Sequence, residues 1–150
     1  MASEPVVRGA ILQELWVAAR AGGEFSAATL RAGGVDPDEY GFLSFVGTLQ
    51  PVTRTTLSRA TGLRRTTVRD AVGRLIERGH AEEQPNPRDG RSTLVVLTPA
   101  GQDIFDRGLP LFHQVLAALD AELEGTLREH EDAVRTVRLA LQKLSAQSSR

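Results

Sequence analysis

Residues 53–101 read, in order, as two short helices, a hairpin with a basic tip and the opening of a third helix, and few folds accommodate that order. Thr53 is placed to cap a helix running to about residue 60, because its hydroxyl accepts an orphan backbone N–H. Gly62 supplies the permissive backbone that a tight turn between two helices needs. Over residues 65–78 the apolar side chains Val68, Ala71, Val72, Leu75 and Ile76 recur at spacings of three and four, which predicts one buried helical stripe. Arg64, Arg65, Thr66, Thr67, Arg69, Arg74 and Arg78 fall on the other face. Gly79 stops the helix from its C′ position. Residues 80–84 and 92–97 are strand candidates, the second ending in the β-rich run Leu94-Val95-Val96-Leu97. The residues between them, from Pro85 to Arg91, form a turn cluster in which Asp89-Gly90 favours reversal.

Charge is segregated along the same lines. Residues 53–91 hold nine arginines against five acids, a net of +4 in a chain whose formal charge is −1. The remainder therefore carries −5. Polar residues opposite a core stripe are ordinary on any surface helix, but segregation of this kind is the electrostatic footprint of a nucleic-acid-binding face. Arginine pairs bidentately with guanine, and threonine contacts bases or phosphates. Arg88 and Arg91 at the hairpin tip have no core to pack against and suit a narrow, electronegative minor groove. Asp89 is placed to orient Arg91, or an arginine of the preceding helix, through a charge-assisted hydrogen bond. The expected contacts to double-stranded DNA are Thr53, Arg54, Arg64, Arg65, Thr66, Thr67, Arg69, Arg74, Arg88, Asp89 and Arg91.

These residues resemble the MarR-type transcriptional regulators, which are winged helix-turn-helix proteins. The likeness runs from Asp36 to about Leu123 and is densest over residues 57–101. Its most specific part is the wing tip Asp89-Gly90-Arg91 followed by Leu97-Thr98-Pro99-Ala100-Gly101, similar to the family's Asp-x-Arg wing and the Leu-Thr-x-x-Gly that opens the next helix. The resemblance implies a mainly α fold with a small β-wing, the winged helix-turn-helix over about residues 36–98, and dimerisation helices over about 6–32 and 99–146. It also implies a homodimer on a pseudo-palindromic operator, usually a repressor, often released by a small aromatic or phenolic ligand. The chain departs from the pattern at four places. Arg64 stands where a capping serine is common, and Asp70 at a position often basic or polar. His80 replaces a usual leucine, and Glu82-Glu83 make the first wing strand acidic.

A chain of 150 residues with 41% hydrophobic content buries one core, so one domain per protomer is expected. The chain has no cysteine, which excludes thiol redox sensing, disulfides and thiolate metal sites. No apolar run approaches the ~20 residues of a membrane span, and the N-terminal residues show no signal-peptide pattern, so a cytoplasmic protein is expected. Seventeen of the eighteen basic residues are arginine, which reflects a GC-rich genome as readily as function.

The flanking segments have the character of a dimerisation frame. Val7, Ile11, Leu15 and Ala19, with Leu12 and Trp16 beside them, predict an amphipathic first helix ending near Gly22-Gly23, and a short helix over residues 26–31 follows. Asp36 caps the next helix, with Pro37 in its first turn and Glu39 completing a capping box; Tyr40, Leu43, Val46, Phe42 and Leu49 form its apolar face. Thr98 and Pro99 start a long helix that Pro110 should kink and Gly125 should end. Thr126 with Glu129 makes a second capping box ahead of Val134, Val137, Leu141 and Leu144. Two apolar helices at one end of a small domain exceed what its own core requires, and packing against a second copy is the economical explanation, with a closed monomeric bundle the alternative.

The expected effector crevice lies between the winged segment and this frame, with Trp16, Tyr40, Phe45, Phe105 and His113 as candidate lining residues; an aromatic at helical spacing is more often plain core. His80, His113 and His130 are scattered, without HExxH or a close ligand pair. Gly22-Gly23 and Gly33-Gly34 form no GxGxxG or phosphate loop, and no nucleophile turn stands out. Neither an enzyme, a cofactor nor a metal is expected. The competing class is a winged-helix protein-interaction adaptor or antirepressor with no operator of its own, to which Asp70 and the acidic strand give some footing.

Overall fold

The computed structural model describes residues 10–148. The elements run α1 (Ile11–Ala32), α2 (Pro37–Leu49), α3 (Arg54–Thr61), α4 (Arg65–Glu77), β1 (Ala81–Pro85), β2 (Thr93–Leu97), α5 (Pro99–Glu122) and α6 (Leu127–Ser148). Among the described residues the fold is a set of six helices with one two-stranded antiparallel wing. Val7, expected on the first helix, lies outside the described residues.

Local chemistry sets the boundaries of the central segment. The Thr53 hydroxyl accepts the Thr56 N–H at 3.1 Å and caps α3. Gly62, at φ 73°, ends α3 in the left-handed conformation that glycine adopts without steric cost. The end of α4 is a Schellman turn: the Gly79 N–H donates to the Ile76 carbonyl and the His80 N–H to the Leu75 carbonyl, with Gly79 at φ 75°. The hairpin follows, in a register that pairs Ala81 with Leu97 and Pro85 with Thr93. Val52, just before α3, exchanges two backbone hydrogen bonds with Val95, so the middle of β2 is paired on both edges.

One core joins α2, α3, α4 and the wing through Leu43, Val46, Val52, Leu57, Val68, Val72, Leu75, Ala81 and Val95. A smaller one, Leu30, Val35 and Tyr40 with Ile104, Phe105 and Leu111, ties α1 and α2 to α5. Gly108 is required there, because a Cβ would collide with the Tyr40 ring. The Gln50 side chain links the two halves: its amide donates to Gln102 at 3.0 Å and its carbonyl accepts the Leu97 N–H at 2.7 Å.

Several expectations change. The first helix does not end near Gly22-Gly23, and no separate short helix occupies residues 26–31; α1 is continuous. Glycine weakens a helix by about 1 kcal/mol per residue without terminating it. Here an Arg20–Glu24 ion pair spans the two glycines, and the far end of α1 is anchored by buried Leu30. The stop is Gly34, at φ 74°, where the Val35 N–H closes onto the Leu30 carbonyl. Asp36 does cap α2, accepting the Asp38 N–H, but Glu39 does not close the capping box. Its carboxylate turns instead to Arg78 and His80. Ile76 is exposed rather than part of the buried stripe, since that stripe is already complete with Val68, Ala71, Val72 and Leu75. α5 runs through Pro110 as one element, and the Thr126–Glu129 capping box opens α6 reciprocally.

Candidate nucleic-acid interface

The stripe that buries Val68, Ala71, Val72 and Leu75 turns the opposite face of α4 to solvent. Arg65, Thr66, Thr67, Arg69 and Arg74 are exposed on it, and Arg64 stands exposed at its N-cap with no side-chain capping bond. The first-turn N–H groups of α4 are therefore open to an acceptor from outside, which suits a phosphate. Thr53 and Arg54 are half-buried at the start of α3.

At the wing tip, Arg88, Asp89 and Arg91 are all exposed. Asp89 does not hold the Arg91 guanidinium, nor an arginine of α4. Its carboxylate accepts the Arg91 backbone N–H at 3.1 Å, and Asn86 accepts the Arg88 N–H at 3.0 Å in the same manner. Such short side-chain-to-backbone bonds outcompete a long, entropically costly reach to a guanidinium. Asn86 also donates to the Ser92 hydroxyl at 2.8 Å, closing the loop from inside. The tip is thus shaped by acceptors to its own backbone, which leaves both guanidiniums unoccupied.

Three arginines of the basic segment are tied to carboxylates: Arg54 to Glu83 at 3.0 Å, Arg69 to Asp70 at 3.2 Å, and Arg78 to Glu39 at 3.5 Å. Arg59, Arg64, Arg65, Arg74, Arg88 and Arg91 make no ion pair among the described residues. Sequence reasoning missed Glu83, Asn86 and Ser92. Glu83 accepts from Arg54 and from the Thr93 hydroxyl at 2.7 Å, so the acidic strand adds a polar tie between α3 and the wing. The available signal was its place on β1, one residue from the rung opposite Thr93's neighbour, where an exposed acid meets a hydroxyl across the hairpin.

Behind this face, a largely apolar hollow of about 630 Å³ opens between α1, α2 and α5. Tyr40, Phe45 and Phe105 line it, joined by Leu30, Leu109 and Phe112. Tyr40 and Phe105 stack with ring centroids 6.5 Å apart, and burial pushes the Tyr40 phenol up, so its hydroxyl stays protonated. Trp16 and His113 do not line the hollow. Trp16 sits on the exposed first half of α1, beyond its reach, and His113 points from the solvent side of α5. Leu109 and Phe112 were missed, though they lie four and seven residues after Phe105, on the same helical stripe. No group of three or more His, Asp or Glu among the described residues is placed to hold a metal ion, and no described helix is long and apolar enough to cross a membrane.

A short brace helix, an exposed basic helix behind a glycine turn and a basic-tipped two-stranded hairpin define a winged helix-turn-helix protein. Residues 33–92, from the turn after α1 through the wing tip, match the model of the MarR family. The flanking helices share its architecture as well. The fold is similar to a putative MarR family transcriptional regulator from Listeria monocytogenes complexed with 26mer DNA, at 20% identity over 88% of this chain and 89% of that one, TM-score 0.72. It is similar to the M. tuberculosis transcriptional regulator MOSR in complex with DNA, at 22% identity over 86% and 94% of the two chains, TM-score 0.69. Wild-type MarR from E. coli in its apo form matches at 21% identity over 95% and 98%, TM-score 0.62. At these identities the likeness is one of fold. No curated protein is significantly similar in sequence.

Proposed function

We propose that this chain regulates transcription as a homodimer, each protomer a single domain presenting α4 to the major groove and the wing to the adjacent minor groove of a pseudo-palindromic operator. The observation that carries the reading is the set of six unpaired arginines on and around α4 and the wing tip, on a chain that is net negative. Arg64, Arg65, Thr66, Thr67, Arg69 and Arg74 contact bases and phosphates from α4, with Thr53 and Arg54 bracing from α3. Arg88 and Arg91 enter the minor groove on a tip that Asp89 shapes. The dimer rests on α1 and α6, whose Ile11, Leu12, Trp16, Val134, Leu141 and Leu144 all lie open to solvent in the single protomer. Buried apolar surface is the dominant favourable term in association, and two such faces cover each other most simply as a pair.

Two recognition helices related by a two-fold axis occupy successive major grooves only at a separation of about one helical turn. A small aromatic effector in the 630 Å³ hollow, stacked among Tyr40, Phe45 and Phe105, would favour a different separation and release the operator by population shift. The protein then acts as a cytoplasmic repressor, by binding and without catalysis.

The test is a fluorescence-anisotropy titration against the chain's own upstream intergenic DNA and a scrambled duplex across a salt series. Selective saturation at one dimer per site supports the reading. Equal weak binding to both duplexes, lost on adding salt, would sink it and favour a protein-interaction adaptor.

A further inference from the structure

The carboxylate of Glu39 lies against the imidazole Nδ1 of His80, off the line of an ideal hydrogen bond, and Arg78 approaches the same oxygen at 3.5 Å. Both side chains are mostly buried, Glu39 with 14% and His80 with 20% of its side chain exposed. Their places in the fold give the contact its meaning. His80 is the residue at which α4 has ended and β1 begins, fixed by its N–H to Leu75. From the other side its carbonyl accepts the Thr98 N–H, the Thr98 hydroxyl donates to Gly79, and a Cβ at Gly101 would collide with the His80 carbonyl. Glu39 sits in the first turn of α2, between Asp38 and Tyr40, both of which line the apolar hollow.

One turn of α2 therefore faces the hollow with some residues and grips the end of the recognition helix with another. We infer that Glu39 and His80 are a protonation-sensitive pair of positioning residues, which set the recognition helix and wing relative to α2. The inference rests on the regulator reading for its consequence at DNA. The charges facing His80 are few. α2 presents Glu39, the C-cap of α4 presents Arg78, and the start of α5 presents its N-cap Thr98 and Gly101, which carry none. A protonated imidazole sets a second cation on a carboxylate shielded from water. A neutral one leaves it Arg78 alone, farther off and half in solvent. The grip is tighter at low pH.

The experiment is a double-mutant cycle with Glu39→Gln, His80→Gln and the double variant, run at about pH 6 and about pH 8, the span over which histidine ordinarily changes charge. It reads urea unfolding and operator affinity on the full chain. The two single effects should be non-additive at the lower pH, by about three- to tenfold in both equilibria, and close to additive at the higher. His113→Gln and His130→Gln should keep the wild-type pH dependence. Additive effects at both pH values in unfolding overturn the pair outright. Coupling in unfolding without coupling in operator affinity reduces it to a structural contact and also overturns the proposal. A wild-type chain that selects no operator while the unfolding cycle stays coupled places the failure in the regulator reading instead.

Discussion

The winged segment and the terminal helices use the same apolar residue types to opposite ends. α3 and α4, of 8 and 13 residues, bury Leu57, Val68, Ala71, Val72 and Leu75 within one protomer. α6 is longer than either, at 22 residues, yet among its described side chains none is buried, and Val134, Leu139, Leu141 and Leu144 face solvent. The first half of α1 is the same, with Trp16 67% exposed. A helix whose stripe is satisfied at home is a fold element. One whose stripe stays open is unfinished until something covers it. Periodicity alone reads the two alike.

The contrast can be broken most directly by truncation. Leu57→Ala, in the closed core, should cost about 3 kcal/mol in urea unfolding, and Leu144→Ala should change protomer stability by less than about 0.5 kcal/mol. In sedimentation equilibrium the order reverses, with Leu144→Ala weakening the proposed dimer about tenfold. Equal unfolding costs would erase the distinction between the regions. Next in size, Arg91→Ala should lower operator affinity by about tenfold and reduce the salt slope by about 1, without altering the melting transition. An unchanged slope would remove the wing from the interface. Smaller still, Gly22→Ala should stabilise α1 by about 0.5–1 kcal/mol, since a Cβ there meets only open space. A loss of stability on calorimetry would mean that α1 is bent or gripped at that point.

The smallest effect is electrostatic. Backbone and side-chain hydrogen bonds from Thr126 hold the Glu129 carboxyl below its ordinary value. A depressed folded-state value contributes stability at neutral pH that is lost as pH falls through the acid range. Glu129 is fully exposed, so the effect should be a local fraying of the α6 N-terminus in acid. Helicity measured by circular dichroism should show it, and Glu129→Gln should flatten it.

The segment whose structure depends on near neighbours was the legible one. Thr53, Gly62, Gly79 and the spacing of Val68 to Leu75 act within a turn or two of themselves, and their elements fall where those residues place them. Misreadings came where a distant partner decides. Gly22-Gly23 looks like a stop until Leu30 is seen anchored beyond it and Gly34 supplies the real one. Glu39 has the spacing of a capping box, but His80, forty-one positions later, takes its carboxylate. At the interface, the exposed residues of α4 could be named, yet which arginines are tied could not, because Glu83 reaches Arg54 only once the hairpin has folded back. In the hollow, three of five aromatic candidates converge. Trp16 and His113 carry the same helical spacing and point elsewhere.

The double pairing at the middle of β2 has one more consequence, for how the wing can be altered. Val52 on one edge and Ala81 to Pro85 on the other lock Val95 and its neighbours into a small stave, while Pro87 to Arg91 hang beyond it, shaped by hydrogen bonds within the loop and from Asn86 and Ser92 at its foot. Length and composition can vary at such an overhang with little penalty to the staves beneath. The tip is an interchangeable nib on a fixed holder: different residues written there would change the surface the wing presents without re-cutting the molecule that holds it.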